Sequence, residues 1–250
     1  MKKSNKKIIQ KLYNDGERLI PGRTHDLQEL IRHRVTYDFF RKIIKQDIKN
    51  GVCLDIPEKI KILDIGFGTG YGCYLLSQIP NVEIVGIDVA QECYEYATRK
   101  YKKSNIHYII HQETEKFLQE NQFDYIVSCG VLEHIPDGIN MTAHNAQYTK
   151  RAMLGVPYRE KPHNPHHLLL NISEDDFNNF QGDKEFFYGD LEGITHNHSS
   201  AAGIVGKGKL PTINNYFNFP MKPEKAEFLI RWQYTIHRLF VKLPKKAFKK

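Results

Sequence analysis

Short apolar runs alternate with helical stripes through the middle of the chain. The runs have the length of buried strands and lie at Ile60–Ile65, Glu83–Ile87, Ile106–Ile110, Tyr125–Ser128, Met153–Val156 and Glu185–Tyr188. The stripes predict helices at Tyr71–Gln78, Ala90–Lys102, Thr114–Glu120 and Ile139–Arg151. Because strands and helices alternate, the pattern predicts an α/β fold with a doubly wound, mostly parallel sheet.

The two flanks of this region have different patterns. A polar turn at 14–23 precedes a helix that is predicted to begin at Asp26 and that carries one apolar stripe. The chain between 193 and 220 is rich in Gly, His, Asn and Ser, which predicts a long loop or an insertion. A terminal helix is predicted at Lys225–Val241.

The stretch Lys61–Gln78 combines a strand, a glycine turn and the start of a helix. Glycines occupy every second position of the turn, at Gly66, Gly68, Gly70 and Gly72. Glycine lets backbone N–H groups approach a ligand that side chains would block, and the N-terminal end of a helix favours negative charge. An acidic residue, Asp88, lies 22 positions after Gly66. This context predicts a nucleoside-binding unit.

Charge is concentrated at the ends of the chain. The net charge is +7, yet ten of the 36 basic residues are lysines in the first eleven and last ten positions, and the remaining 26 face 29 acidic residues. This distribution argues against a broad nucleic-acid-binding face. The tails are interpreted as solubilising, and the alternative is attraction to an anionic membrane surface.

Other compositional features limit where the protein acts. The four cysteines form no CxxC pair, so neither a disulfide framework nor a zinc site is predicted. The N-terminus lacks the apolar region of a secretory signal, and no apolar run is long enough to span a bilayer. We therefore expect a cytoplasmic protein, with peripheral contact at the inner membrane face as the alternative.

Three motifs carry a family resemblance. DIGFGTGYG, GIDVA and FDYIVSCGVLEHIPD together resemble the class I S-adenosylmethionine-dependent methyltransferases, over about Ile60 to Val156. The glycine spacing is not the GxGxxG of NAD-binding Rossmann proteins. The resemblance implies a Rossmann-like, seven-stranded sheet and S-adenosyl-L-methionine as cofactor. It also implies three segments: an N-terminal helical lid at 1–50, a cofactor-binding core at 51–191, and a loop insertion with a basic helix at 192–250.

The resemblance assigns cofactor contacts residue by residue. The turn Gly66–Gly70 passes under the methionine and ribose parts, and Asp64 orients it or accepts from the cofactor's amino group. Asp88 accepts from both ribose hydroxyls, although a carboxylate there also suits a helix N-cap. Gln112, beside Glu113, lies where the family holds the adenine, and the backbone at Cys129 accepts from the ammonium group.

The segment before the core, residues 14–22, is called the leader here, and it indicates a subgroup of these methyltransferases. NDGERLIPG and the helix RHRVTYDFF resemble the GER-x-x-P leader of bacterial methyltransferases associated with cell-surface glycan genes. In that resemblance Arg18 lies in a lid, while Arg34 and Tyr37 face the cofactor's carboxylate. The alternative is an amphipathic helix with solvated arginines.

Catalytic candidates are histidines at the open edge of the sheet. His134 belongs to the LEH stretch, and His163, His166 and His167 follow VPYRE. Histidine accepts protons near neutral pH, so His166 or His167 is the expected base for a substrate hydroxyl; loop-fixing hydrogen bonds are the alternative. Ubiquinone-type O-methyltransferases carry a metal-binding E-V-L-E-H, and here Gly130 stands at its first position, so no metal ligand is assigned. A metal bound by the histidines after VPYRE is the alternative, although no carboxylate has an obvious ligand spacing to them.

The expected function is methyl transfer to a hydroxyl oxygen of a small-molecule or saccharide substrate. Methylation of RNA or protein is a second hypothesis, supported by the sequence pI of 9.0 but opposed by the location of the charge. A cofactor-binding protein without catalysis is a third hypothesis. The oligomeric state is not predicted.

Overall fold

The computed structural model describes residues 2–15, 18–21, 27–52, 59–111, 114–160, 165–189 and 200–206. Its strands are β1 (Ile60–Ile65), β2 (Val82–Asp88), β3 (Ile106–Ile110), β4 (Tyr125–Cys129), β5 (Arg151–Pro157), β6 (Asp183–Gly189) and β7 (Ser200–Gly206). They form one sheet in the order β3-β2-β1-β4-β5-β7-β6. Strands β1 to β5 run parallel, and β7 is antiparallel to both β5 and β6. The predicted doubly wound, mostly parallel class is confirmed.

Helices cover both faces of this sheet. They are α1 (Lys2–Asp15), α2 (Leu27–Lys49), α3 (Tyr71–Leu76), α4 (Gln91–Lys100), α5 (Thr114–Glu120) and α6 (Gly138–Ala146), with short 3-10 helices at Leu132–His134 and Glu174–Phe177. Side chains alternate across β1, so Ile62 joins one apolar cluster while Leu63 joins the other. The first cluster includes residues of α1 to α4, and the second includes residues of α5 and α6. Burial on both faces explains why the central strands β1, β4 and β5 are almost continuously apolar.

A buried ion pair fixes α2 on the sheet. The guanidinium of Arg151, at the start of β5, donates from Nε and Nη2 to the two carboxylate oxygens of Asp47 at 2.6 and 3.0 Å. The hydroxyl of Tyr125 on β4 also donates to Asp47, at 3.2 Å. All three side chains are fully or almost fully buried. Helix α2 is therefore built into the layer that flanks the sheet, and its described residues share the main core instead of forming a separate lid.

The structure differs from the predicted elements at two places. The basic N-terminus forms α1, whose Ile8 and Leu12 are buried and whose Lys11 pairs with Glu92 of α4 at 2.7 Å. The segment 193–220 was predicted as a long loop or an insertion, and it contains β7, so the sheet extends beyond the predicted core boundary at 191. No strand was predicted there because β7 is rich in Gly, Ala and Ser, which have little strand preference.

Some predictions lie outside the described residues. These are the start of a helix at Asp26 and the terminal helix Lys225–Val241. Among the helices that the structure describes, none is both long and apolar enough to cross a membrane.

Removal of one partner of the buried ion pair is expected to lower the free energy of unfolding strongly. In Asp47→Ala the guanidinium of Arg151 would remain buried without its counter-charge, which typically costs about 3–5 kcal/mol of unfolding free energy. Arg99→Ala removes an exposed pair with Glu95 and is the matched control, with an expected cost below about 1 kcal/mol. Urea denaturation measures both values. Equal losses in the two variants would show that the buried pair does not hold α2 in place.

Candidate functional site

The glycine turn lies where the carboxyl ends of β1, β2 and β4 meet. Gly66, Gly68 and Gly70 all have positive φ, at 72°, 53° and 85°, so the turn requires residues that tolerate the left-handed region. The N–H of Gly66 donates to the carbonyl of Ile87 at 2.8 Å, which ties the turn to β2. This edge of an open α/β sheet is where ligands bind.

Gly68 differs from the other glycines of the turn in what surrounds it. A Cβ at Gly70 would lie 2.6 Å from the Cβ of Ala97, and a Cβ at Gly66 would collide with Val131. A Cβ at Gly68 would meet no described atom closer than 4.0 Å. Gly66 and Gly70 are therefore required by protein packing, whereas Gly68 borders open space in which a ligand can lie against the backbone.

The carboxylate of Asp88 connects the turns that follow β1 and β2. Its Oδ2 accepts from the N–H of Gly68 at 2.8 Å, and its Oδ1 accepts from the N–H of Ala90 at 2.9 Å. The side chain is 5 % exposed. The N-cap of α4 is Ala90, not Asp88. Each carboxylate oxygen has a second lone pair, so the predicted contact with ribose hydroxyls is compatible with these two bonds.

Asp64 lies beneath the glycine turn and is completely buried. The hydroxyl of Tyr37 donates to its Oδ1 at 3.0 Å, and the thiol of Cys73 donates to its Oδ2 at 3.1 Å. Burial raises the pKa of Asp64 to about 7, although both hydrogen bonds act in the opposite direction. Asp64 thus joins α2 and α3 to β1, and its role in orienting the turn or in accepting from the cofactor's amino group stays a prediction.

Two predicted cofactor contacts on α2 have other partners. The ring of Tyr37 lies against Gly72, and its one hydroxyl proton is donated to Asp64, which replaces the predicted contact with a cofactor carboxylate. Arg34 is exposed and pairs with Asp38 at 3.3 Å. It therefore matches the alternative, a solvated arginine on an amphipathic helix. Gln112 lies outside the described residues.

The leader and β4 approach the same edge. The hydroxyl of Thr69 donates to the carbonyl of Leu19 at 2.7 Å, which holds the segment around Arg18 against the glycine turn. Cys129 is buried at the end of β4, and its predicted contact with the cofactor's ammonium group remains a prediction. A Cβ at Gly130 would lie 2.9 Å from Cε1 of His33. A glutamate here would have to displace the ring of His33 and adopt a left-handed backbone, since φ of Gly130 is 65°.

A histidine–carboxylate cluster, formed by Glu133, His134, Glu160 and His167, follows β4 and β5. The rings of His134 and His167 lie edge to face, with centroids 4.7 Å apart. Nδ1 of His167 contacts Oε2 of Glu160, and both side chains are almost buried. The cluster is held together because the carbonyl of Glu133 accepts from the N–H groups of Leu168 and Leu169 at 2.7 and 3.0 Å.

The predicted catalytic histidines differ in position and exposure. His134 and His167 belong to the cluster, whereas His166 is exposed, and its carbonyl oxygen contacts Nδ1 of His134 at 3.0 Å. His163 lies outside the described residues. Glu160 was not singled out from the sequence, because a separation of seven residues across a loop with prolines has no regular period. The motif VPYRE contained it as the nearest acidic residue before the histidines.

The buried Asp64 is expected to make stability depend on pH in an identifiable way. An aspartate in the unfolded chain releases its proton near pH 4, whereas Asp64 in the folded protein keeps it up to about pH 7. Between pH 4 and 7 the folded protein binds more protons than the unfolded chain. The contribution of Asp64 to the free energy of unfolding therefore falls as pH rises through this range, by at most about 1.4 kcal/mol per pH unit. Asp64→Asn removes this loss, and its stability relative to the unsubstituted protein should rise between pH 4 and 7. Urea denaturation of cofactor-free protein measures the difference, and a constant difference across this range would contradict the assignment.

Known proteins match both the central sequence and the fold. Residues 62–150 match a family model described as a methyltransferase domain. A malonyl-acyl-carrier protein O-methyltransferase of Acetivibrio thermocellus is 29 % identical over 110 residues, which cover 42 % of this chain and 38 % of that protein. The arsenite methyltransferase of Rattus norvegicus is 33 % identical over 104 residues, covering 35 % and 28 %. The matches therefore span well under half the length of these relatives.

Solved structures extend the similarity beyond the matched residues. The bifunctional kinase-methyltransferase WbdD has a TM-score of 0.54 at 14 % identity, over 87 % of this chain and 57 % of that one. At this identity the likeness shows the fold alone. Residues 62–150 therefore match a methyltransferase domain, the fold agrees with that match, and S-adenosylmethionine is the cofactor.

Proposed function

We propose that this protein transfers the methyl group of S-adenosylmethionine to a hydroxyl oxygen of a small-molecule or glycan-like acceptor. The observation that carries the proposal is the histidine–carboxylate cluster, which lies after β4 and β5 at the sheet edge that also holds the glycine turn. A hydroxyl oxygen is a weak nucleophile until its proton is removed, and this cluster offers groups that can promote that removal.

The chemistry needs little beyond position and proton transfer. In an in-line displacement the acceptor oxygen bonds to the methyl carbon, the carbon–sulfur bond breaks, and the sulfur keeps the electron pair, which gives S-adenosylhomocysteine. The carboxylate of Glu160 at Nδ1 of His167 favours the tautomer that carries its proton on Nδ1. The Nε2 lone pair is then the basic one, and His167 is the residue that we expect the acceptor hydroxyl to meet.

Features near the cluster support a neutral, partly apolar acceptor. Leu168 and Leu170 follow His167 and are 58 % and 40 % exposed. A sugar ring presents hydroxyl groups and an apolar C–H face, which suits such a surface. Three carboxylates, those of Asp88, Glu133 and Glu160, lie at this edge and would repel the phosphates of RNA. The leader that resembles glycan-associated methyltransferases supports the same class of acceptor.

The matched relatives do not select among acceptors. Their names include an O-methyltransferase, an arsenite methyltransferase and, in Arabidopsis thaliana, a phosphoethanolamine N-methyltransferase. The acceptor class is tested by incubating the protein with methyl-labelled cofactor and a panel of sugars, sugar phosphates, nucleotide sugars, RNA and protein. The expected product is a sugar that carries the labelled methyl group as an ether on one of its hydroxyl oxygens. Transfer only to RNA, to protein or to an amine would contradict the proposal.

Loss of His167 should affect turnover far more than cofactor binding. With the best hydroxyl acceptor from that panel, His167→Ala is expected to lower kcat by roughly 10²–10⁴-fold, the usual contribution of acid–base catalysis. Glu160→Gln should lower it less, because the imidazole remains. Cofactor affinity, measured by calorimetry, should stay unchanged in both variants.

His166→Ala provides the matched control for this experiment. Its side chain is exposed and its backbone carbonyl survives the substitution, so kcat should change less than threefold. If His166→Ala and His167→Ala were equally active, the assignment of His167 would be wrong.

Gly68→Ala tests where the cofactor passes. The new Cβ meets no described atom closer than 4.0 Å, so only the left-handed backbone opposes it, at about 1–2 kcal/mol. The same Cβ occupies the space beside the turn, so affinity for S-adenosylmethionine should fall at least tenfold. Gly70→Ala is the contrasting variant, since its Cβ would collide with Ala97 inside the protein and should reduce stability more. Unchanged affinity in a folded Gly68→Ala would place the cofactor elsewhere.

A further inference from the structure

Three side chains of the cluster form a set of metal-ligand atoms. Glu133, His134 and His167 each offer one donor atom, and the three donors all lie within 4.8 Å of one another. Two imidazoles and one carboxylate are a common donor set for divalent first-row metals, with positions left open for other ligands. The carboxylate comes from a residue that is only 2 % exposed, so it is a fixed part of the fold.

The hydrogen bonds behind this set orient both imidazoles. Nδ1 of His134 lies 3.0 Å from the carbonyl oxygen of His166, and a carbonyl can only accept, so Nδ1 carries the proton. Nδ1 of His167 meets the carboxylate of Glu160, which favours the same tautomer. In both rings the lone pair is then on Nε2. Carboxylates and carbonyls hold metal-binding histidines in this way, by contacting the nitrogen that does not bind the metal.

The backbone also holds the three donors at a fixed separation. The 3-10 helix that contains Glu133 and His134 is closed by a bond from the N–H of His134 to the carbonyl of Val131 at 2.9 Å. The segment that contains His167 is bound to the carbonyl of Glu133 through Leu168 and Leu169. A site built from two segments that are bonded to each other needs little rearrangement to take an ion.

We propose that Glu133, His134 and His167 bind a divalent first-row cation such as Mn²⁺ or Zn²⁺, with Glu160 as a positioning residue. Two imidazole ligands favour these ions over Mg²⁺ and Ca²⁺, which prefer oxygen. This set differs from the one expected for E-V-L-E-H sequences, because Gly130 supplies no donor and His167 comes from the loop after β5.

The role of the ion rests on the proposed function. A cation held here would bind the acceptor oxygen and lower the pKa of its hydroxyl. The hydroxyl proton then passes to solvent, the oxygen bonds to the methyl carbon, and the sulfur leaves with its electron pair. His167 acts in this case as a ligand, and the expected effect of His167→Ala on turnover is the same.

The test is a titration of MnCl₂ into chelator-treated, tag-free, full-length protein, with free Mn²⁺ followed by electron paramagnetic resonance and Zn²⁺ used as competitor. One saturable site is expected, which His134→Ala and His167→Ala should each weaken at least tenfold. Glu160→Gln should weaken it by roughly 10-fold or more, because Glu160 holds the ring of His167 through Nδ1. His166→Ala and His144→Ala, which change exposed histidines, are controls that should bind as the unsubstituted protein does.

The outcomes separate this inference from the proposed function. Absence of saturable Mn²⁺ and Zn²⁺ binding would overturn the inference, as would binding that is unaltered in His134→Ala, His167→Ala and the conservative Glu160→Gln. If chelated protein still methylated a hydroxyl, the proposed function would stand without the ion. If the ion bound at these residues but no hydroxyl acceptor were methylated, the metal site would stand and the proposed function would fail.

Discussion

The carboxylate of Asp88 accepts hydrogen bonds from two different turns and so links them at the edge of the sheet that carries the glycine turn. One bond comes from Gly68 after β1 and the other from Ala90 after β2. Adjacent parallel strands bring the turns to the same edge, the bond from Gly66 to Ile87 joins the first turn to β2, and the shared carboxylate adds one bond to each turn. The left-handed glycines then expose backbone along the open side of the turn. A charged group that is nearly buried stays favourable here because backbone N–H groups satisfy it.

The same edge brings together groups that are distant in sequence. The glycine turn follows β1, Glu133 and His134 follow β4, and Glu160 and His167 follow β5. Since all these strands are parallel, their carboxyl ends meet at one edge without any long connection across the sheet. The buried pair of Asp47 and Arg151 has a supporting role, because it holds α2 against β4 and β5 and so keeps Tyr37 in contact with Asp64. Cofactor and acceptor chemistry thus depend on one scaffold.

How far the sequence predicts this structure depends on the range of the interactions involved. Strands β1, β2 and β4 were predictable because burial on both faces demands continuous apolar residues. The edge strand β3 is only partly buried, and its short apolar run was sufficient to predict it. Helix α1 could not be predicted, because the buried apolar residues described on it are Ile8 and Leu12, which lie among lysines. Strand β7 could not be predicted either, because its backbone pairs with both β5 and β6 while its composition is that of a loop. In the site, Asp88 and the glycines follow from a local motif. The contacts of Tyr37 with Asp64 and of Glu160 with His167 could not be predicted, because no regular sequence spacing relates the two partners.

S-adenosylmethionine is expected to bind at the turn that Asp88 organises. Calorimetric titration of the product S-adenosylhomocysteine into the unsubstituted protein and into Asp88→Ala measures this binding without any acceptor. One site per chain is expected in the unsubstituted protein, with affinity at least tenfold weaker in Asp88→Ala. No saturable binding, or equal affinity in the two proteins, would contradict the claim.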